Sequence, residues 1–551
     1  LSNFSSTLQI AKENVLSGIN FRTGNTTAQA TDLSFAIADF SQLPADAFPV
    51  SGYSYIEMNY LLVAPTEDAA NLINATYTIS GKTGASTVNT LNLASTPVRQ
   101  NYRTNIYGSL LTTQNAFTVT IDPAFGEPSY NIASVWDGTT VIAPDTDAEG
   151  NMSVNSAAQL AGLYEVVNAG NDLDGKTVTL NTDVDLAGSS KWKSIGTSSK
   201  PFKGTLDGNG KEVKGLVNSF FGNVDGATVK NVKLVASNPT ISALIKQTAG
   251  DVSISGVTVE GTVTGSSLFS KQGASGMIGC AKGGNVLIEN SVNRATIVDN
   301  TYCAGGFVGR TDNCTVTIRN SENYGDVISN RSTEGKAAGF VGMPAYKVVL
   351  EKCTNYGNIS VTTKNIGAVG GMIGWENAGF DMTDCINNGN IEITLANANA
   401  IVLAGGLYGG SGWGTGPKNI INCTNNGDVT GHVTSMASGA NTEYNYGLYV
   451  GGILASTSYD DLVVTGCTNN GNLTAITDGE VAQTQYIGGI AGGLGWENKI
   501  EITGCTVPAS VILSGNQGEN TKYNGLFNDM APGNNKNVVD TPNNVNPTIK
   551  Q

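Results

Sequence analysis

The residues able to do chemistry in this 551-residue chain are few and scattered. It holds one histidine, and 45 acids against 30 lysines and arginines leave a formal charge of −15. Cleaving a polysaccharide would require two carboxylates at glycosidase separation, or an acid cluster binding calcium beside an Arg or Lys base. Asp185 and Asp207 invite that reading, but the D-G-N-G string at Asp207 is better explained as a turn whose glycine takes a positive φ. Asp326, Asp381, Asp384, Asp428 and the Asp460-Asp461 pair do not share one column of adjacent repeats, and His432 stands alone in an insertion. The eight cysteines lack C-x-x-C spacing and histidine partners. The expectation is therefore a protein without catalytic residues, metal or cofactor.

A second set of side chains suits recognition. Tyr346, Trp375, Trp413, Tyr459 and Trp496 follow five successive copies of a Gly-Gly strand, twice inside the string G-W-E-N, Gly374 to Asn377 and Gly495 to Asn498. A row of rings beside Asn, Asp and Glu fits a sugar chain, whose apolar faces lie on the rings while its hydroxyls find acceptors. The same rings can instead cover the loops and shield the edge. Insertions near 431 to 448 and 474 to 486 lengthen two turns of this half, where loops on a rigid scaffold tend to carry recognition. Acidity excludes nucleic acid and anionic membrane as partners.

The elements that must position these residues are repeats. C-T-N-N-G-D-V at Cys423 to Val429 returns at Cys353, Cys385 and Cys467, loosely at Val257, Ser291 and Ser321, and last at Cys505. Successive starts lie 34, 30, 32, 32, 38, 44 and 38 residues apart. Between them run A-G-G-F-V-G (Ala304 to Gly309), V-G-G-M-I-G (Val369 to Gly374), A-G-G-L-Y-G (Ala404 to Gly409) and kin, and a β-branched piece precedes each cysteine position. Three short strands per repeat leave no room for a helix, so each repeat is one turn of a three-faced, right-handed parallel β-helix. About ten turns of about 4.8 Å give a solenoid of roughly 48 Å.

Stacking in register makes columns. Cys353, Cys385, Cys423, Cys467 and Cys505 fall one above another as small, inward-facing free thiols, spaced too widely for bridges along the column. Cys280, Cys303 and Cys314 lie close enough in sequence to hold one pair. Two residues on, Asn293, Asn323, Asn355, Asn387, Asn425 and Asn469 form a structural ladder of stacked amides, at a corner where Asn tolerates the left-handed conformation.

Residues 1–148 lack a period. Strand signals at Leu33 to Phe40, Tyr53 to Val63, Ala75 to Ser80, Thr87 to Leu93, Arg103 to Leu111 and Phe117 to Ile121 predict a β-sandwich. Its Y-I-E-M-N-Y-L-L-V (Tyr55 to Val63), P-V-R-Q-N-Y-R-T-N-I-Y-G-S-L-L-T (Pro97 to Thr112) and F-T-V-T-I-D-P-A-F (Phe117 to Phe125) resemble the fimbrillin-type domains of Bacteroides surface proteins. That resemblance implies an exported, outer-membrane protein that builds or decorates fimbriae. In residues 149–200, Asn155 or Ser156 caps a helix through Val167, with Leu160, Leu163, Val166 and Val167 on one face, to cover the first open turn. The windings from Thr177 on, including P-F-K-G-T-L-D-G-N-G (Pro201 to Gly210), together with the Gly-Gly strands, resemble GLUG-type repeats of bacterial surface adhesins, in which repeats are scaffold and binding surface. Residues 201–530 form the β-helix, and 531–551 read as a polar tail.

The chain starts at Leu1 with no leader or lipid-anchor cysteine, so any export signal is expected to lie outside it. Together these readings predict a surface- or fimbria-associated adhesin whose β-helix meets a host or microbial glycan or protein, and whose sandwich meets fimbrial subunits. A structural stalk that polymerises through the sandwich is the alternative, and a polysaccharide-degrading β-helix the third.

Overall fold

The computed structural model describes residues 4–19, 26–37, 59–63, 71–81, 87–98, 103–108, 117–122, 134–265, 272–300, 302–396, 401–411, 415–435, 447–457, 459–478, 484–494, 497–516, 521–529, 538–539 and 543–550. It divides into two compact units, 1–131 and 132–551. Trp413 and Trp496, much of the two insertions and residues 530–537 lie outside the described residues.

The first unit is antiparallel. Asn71–Gly81 pairs with Thr87–Val98 on one side and with Phe4–Ile10 on the other, and Leu33–Ile37 adds a fourth strand. Alternation places Ile73, Ala75, Tyr77 and Ile79 of one strand on the same face, where they bury with Ile10, Val15, Leu91 and Leu93. Arg103–Gly108 pairs with Phe117–Asp122, and Val15–Ile19 with Thr26–Ala28 and Leu62–Val63.

The second unit is the solenoid. Residues 134–148 belong to it: Ser134–Val135 pairs in parallel with Val184–Asp185, and Asp145–Thr146 feeds the strand Met152–Val154. The one helix among the described residues, Ala157–Ala169, begins where Ser156 Oγ accepts the N–H of Gln159 and stops at Gly170, whose φ is 121°. Leu160, Leu163 and Val167 bury against the first windings, and Tyr164, Trp136 and Trp192 meet edge to face at 5.5–6.5 Å.

From there the described strands stack in parallel. One ladder of ten strands runs from Phe221–Val224 to Phe527–Asp529, so the described residues make ten rungs there. A second ladder of eight strands holds the start of each Gly-Gly motif, and the longest sheet holds the segments on either side of the cysteine column. Register is kept along this column: Val286, Val316, Val348 and Phe380 stack, then Lys418, Leu462 and Ile500.

The Gly-Gly motif follows from crowding. A Cβ on Gly339 would sit 2.3 Å from Gly371 O and 2.5 Å from Asn355 Oδ1, and one on Gly374 would sit 2.6 Å from Gly342 O. At Gly339 and Gly374 a side chain enters only if that backbone shifts, while Ala338 and Ala455 show that neighbouring rungs make room for a methyl group.

Two expectations need correction. The left-handed corner is one residue earlier than the cysteine column, not at the ladder asparagines: Asn290, Asn320, Lys352, Asp384 and Asn422 have φ of 48–53°, continued by Gly256, Gly466 and Gly504. The expected polar tail adds a further rung, since Val538–Val539, Asn544–Val545 and Thr548–Lys550 pair with the strands below. Backbone pairing needs an open strand edge rather than apolar side chains, and the preceding rung offers one.

Candidate functional site

Four features of the solenoid could act on another molecule. The buried columns come first because they settle which polar groups are already engaged. Asn293, Asn323, Asn355, Asn387, Asn425 and Asn469 are fully buried. Each Nδ2 but the last donates to Oδ1 of the next asparagine at 2.7–2.8 Å, and each donates to the carbonyl two residues on at 2.8–3.2 Å. Beside them all eight cysteines are free and buried. Burial, with the thiols of Cys353 and Cys423, holds the Cys385 pKa well above its ordinary value. Burial also pushes Cys280 up to about 11 and Cys314 up to about 12. Cys280, Cys314 and Cys385 are therefore packing groups, without the thiolate that reactivity needs, whereas hydrogen bonds from the neighbouring column thiols draw Cys423 down to about 4 and lower Cys505.

Outside the ladder two further columns were not singled out from sequence. Tyr324 and Tyr356 stack at 4.5 Å with planes 9° apart, and the Arg294 guanidinium lies 4.1 Å from the Tyr324 ring centre. Asn426 and Asn470 continue that column by donating to Asn388 and Asn426 at 2.8 Å. In the next column Asp326, Asn358, Asn390, Asp428 and Asn472 each accept a backbone N–H from the following rung at 2.8–3.1 Å. The i, i+period recurrence of Asn and Asp after each Gly carried that signal.

Three of the acids weighed for catalysis have structural partners beside those of Asp326 and Asp428. Asp185 accepts from Ala187 N–H and pairs with Lys214, Asp207 pairs with Lys230 at 3.0 Å, and Asp381 pairs with Lys347 at 2.7 Å. His432 belongs to the strand Val429–Val433 rather than to an insertion, and its Nε2 lies 3.0 Å from Asp478 Oδ2.

The edge formed after the ten-strand ladder is a wall of loops bonded rung to rung. Asn377 N–H donates to Pro344 O and Thr415 N–H to Asn377 O, while Asp460 accepts from Gly416 N–H and Asn498 N–H. Tyr346 stands on it 45% exposed, its N–H held by Thr311 Oγ1 at 3.0 Å. Tyr459, three rungs on and about 14 Å away by rung spacing, is 49% exposed. Both Tyr459 and Asp460 have positive φ, 59° and 55°. Two successive non-glycine residues in that region cost on the order of 1 kcal/mol each.

Trp375 departs from the expected row. It is 4% exposed, packs in a satellite core with Met343, Ala368, Leu403 and Tyr449, and its Nε1 donates to Asn377 at 3.0 Å. Its register partner in the next rung is Gly410, and the cluster that takes the ring includes the small residues Ala368 and Ala455. The loop edge thus presents two exposed rings among the described residues, not a continuous row.

Beneath this edge lies a buried polar cluster that sequence reasoning missed. Lys418 takes the core column otherwise filled by Val348, Phe380, Leu462 and Ile500. Its Nζ lies 3.5 Å from Glu376 Oε1 and donates to Gly416 O at 3.0 Å, and Tyr408 Oη donates to the same carboxylate oxygen at 3.0 Å. Lys418, Glu376 and Tyr408 are fully buried, and Glu376 Oε2 has no hydrogen-bond partner. Burial pushes Glu376 up to about 7 against the pull of Lys418. Glu497, from the second G-W-E-N, is buried too. The signal was the repetition of the whole string, in whose first copy Glu376 goes in along with Trp375.

Residues 1–149 match DUF6562, a family of unknown function. No curated protein matches the chain. Among solved structures it is similar to a Bacteroides ovatus protein provisionally described as an immunoglobulin A1 protease, at 18% identity and a TM-score of 0.38, over 45% of this chain and 78% of that one.

Proposed function

We propose that this protein is an exported, non-enzymatic adhesin of the cell surface or of a fimbria, whose β-helix presents its loop edge to a host or microbial glycan or protein. The observation that carries the reading is Tyr459, held out at 49% exposure by two consecutive left-handed residues on a loop wall bonded from 344 to 498. Backbone strain of this kind persists where the surroundings enforce it, and it clusters at ligand-binding positions. Tyr346 on the same wall supplies a second ring. A sugar chain spanning both would lie along the solenoid axis, with Asp460 and Asn377 beside it. The acids described above support the non-enzymatic side of the reading, since their partners are structural. The fimbrillin-like first unit is the part that would meet other fimbrial subunits, and the outer side of the outer membrane is where such a protein would work.

The test is a glycan and matrix-protein array probed with the intact chain and with a Tyr346→Ala/Tyr459→Ala double variant. Saturable binding lost in the variant, with β-rich circular dichroism unchanged, supports the loop edge. Equal binding by both forms, or none by either, removes it as a recognition face.

A further inference from the structure

At the N-terminal end of the satellite core, three cations converge on one ring. The Arg310 and Arg331 guanidinium carbons lie 5.5 and 5.2 Å from the centre of the Tyr302 ring, and Lys336 Nζ lies 5.5 Å from it. Glu334 reaches two of them, Lys336 at 3.0 Å and Arg331 at 4.0 Å. The buried Asp299 carboxylate accepts the backbone N–H of Tyr302 at 3.1 Å. Arg310 makes no ion pair among the described residues, and its Nε is buried without a hydrogen-bond partner.

A guanidinium N–H withdrawn from water and left without an acceptor is a standing cost, which an arriving anion removes. Arg310 is stacked between Cys280 and Met343 in its ladder, with Lys336 only 5% exposed opposite. Those apolar neighbours lower the local dielectric and strengthen any charge that pairs there. The spot is basic on a chain of charge −15, so it is a local attractor for negative groups. A planar guanidinium fork beside an ammonium matches the oxygens of a carboxylate or sulfate, and the Tyr302 ring gathers those cations in one place.

We propose that Arg310 and Arg331, with Lys336 beneath and Tyr302 between them, form a receptor for one anionic group, the carboxylate or sulfate of an acidic sugar. This rests on the glycan-binding reading above and adds to it a second contact, away from the loop edge.

The experiment is calorimetric titration of the intact chain with three probes: heparin oligosaccharides, polygalacturonate oligomers and neutral dextran oligomers. Binding of a sulfated or a carboxylated probe is expected, weakening with salt and weakened roughly tenfold or more by Arg310→Gln. Arg310→Lys should restore part of the loss. Heparin against polygalacturonate separates sulfate from carboxylate. If Arg310→Gln does not fold by circular dichroism, Arg331→Gln serves in its place. Undiminished binding of the acidic probes by both glutamine variants overturns the receptor. Their failure to bind the wild type also overturns it, even where neutral glycans still bind. Loss in Tyr346→Ala/Tyr459→Ala alone leaves the loop-edge reading standing and this one refuted. Loss in Arg310→Gln alone does the reverse.

Discussion

Replacing Asn387 by Ala tests the logic of the solenoid at its centre. The side chain is fully buried and makes three hydrogen bonds: it accepts from Asn355 Nδ2 at 2.7 Å and donates to Asn425 Oδ1 and Gly389 O, both at 2.8 Å. The variant leaves one N–H of Asn355 and the Oδ1 of Asn425 without their ladder partner, in a place water does not reach. Each buried orphan costs about 1–3 kcal/mol, so the two together should cost about 4 kcal/mol. Asn293 ends the ladder with one asparagine neighbour, Asn323, and its Oδ1 takes in place of a ladder amide only a 3.3 Å bond from Ala295 N–H, so Asn293→Ala should cost less than Asn387→Ala by about 1 kcal/mol. Beyond the ends the same column holds Val259 and Val507, both fully buried, so the site accepts an apolar residue where no neighbour requires an amide. The penalty is therefore one of broken pairing rather than of shape, and Asn387→Val should cost nearly as much as Asn387→Ala. Urea unfolding of both variants, followed by circular dichroism, measures the difference. A loss under about 1 kcal/mol at Asn387, or equal losses at Asn387 and Asn293, would refute the reasoning.

Three further outcomes are expected. Gly374→Ala, whose Cβ would lie 2.6 Å from Gly342 O and 2.9 Å from Ala337 O, should destabilise by about 1–3 kcal/mol; an unchanged melting temperature contradicts the crowding argument. Trp375→Ala should cost about 3 kcal/mol while leaving glycan binding intact below its melting temperature, and lost binding at full stability would restore Trp375 to the recognition face. Glu376 is raised by burial from 4.5 to about 7, so the folded state holds a proton that the unfolded chain has released between those values. That stability is present below about 4.5 and lost as pH rises through about 7. Glu376→Gln, which titrates nothing, should gain on the wild type in thermal scans taken upward across that window, and a constant gap between the two would contradict the assignment.

The repeat was legible because its period is carried by residues whose chemistry admits little substitution. Cysteine and asparagine recur where a small or amide-bearing side chain must stack on its own copy, and Gly-Gly recurs where a Cβ would strike a carbonyl. Other features were hidden for physical reasons. The left-handed corner uses Asn, Lys, Asp or Gly, since many residues tolerate that single strained position, so Lys352 and Asp384 gave no pattern. The strand Phe4–Ile10 is rich in Ser and Thr and lacks a turn residue to mark it. The last rung, 544–550, is held by backbone pairing to a preceding strand, which composition does not record. Lys418 and Glu376 gave no signal, because one-dimensional sequence cannot show that a lysine occupies a core column. The aromatic row was half visible: the spacing located the loop edge, but whether a ring turns out or in depends on the room its neighbours leave, which for Trp375 is a cluster holding Ala368 and Ala455.

The most direct test of the central claim is amide hydrogen exchange of the intact chain, with and without the glycan retained on the array. Slowing confined to 344–347 and 456–460, with the asparagine ladder unchanged, is the predicted footprint. Slowing along the Tyr324–Tyr356 face and the Asn388, Asn426 and Asn470 column, with none at the loop edge, would contradict it.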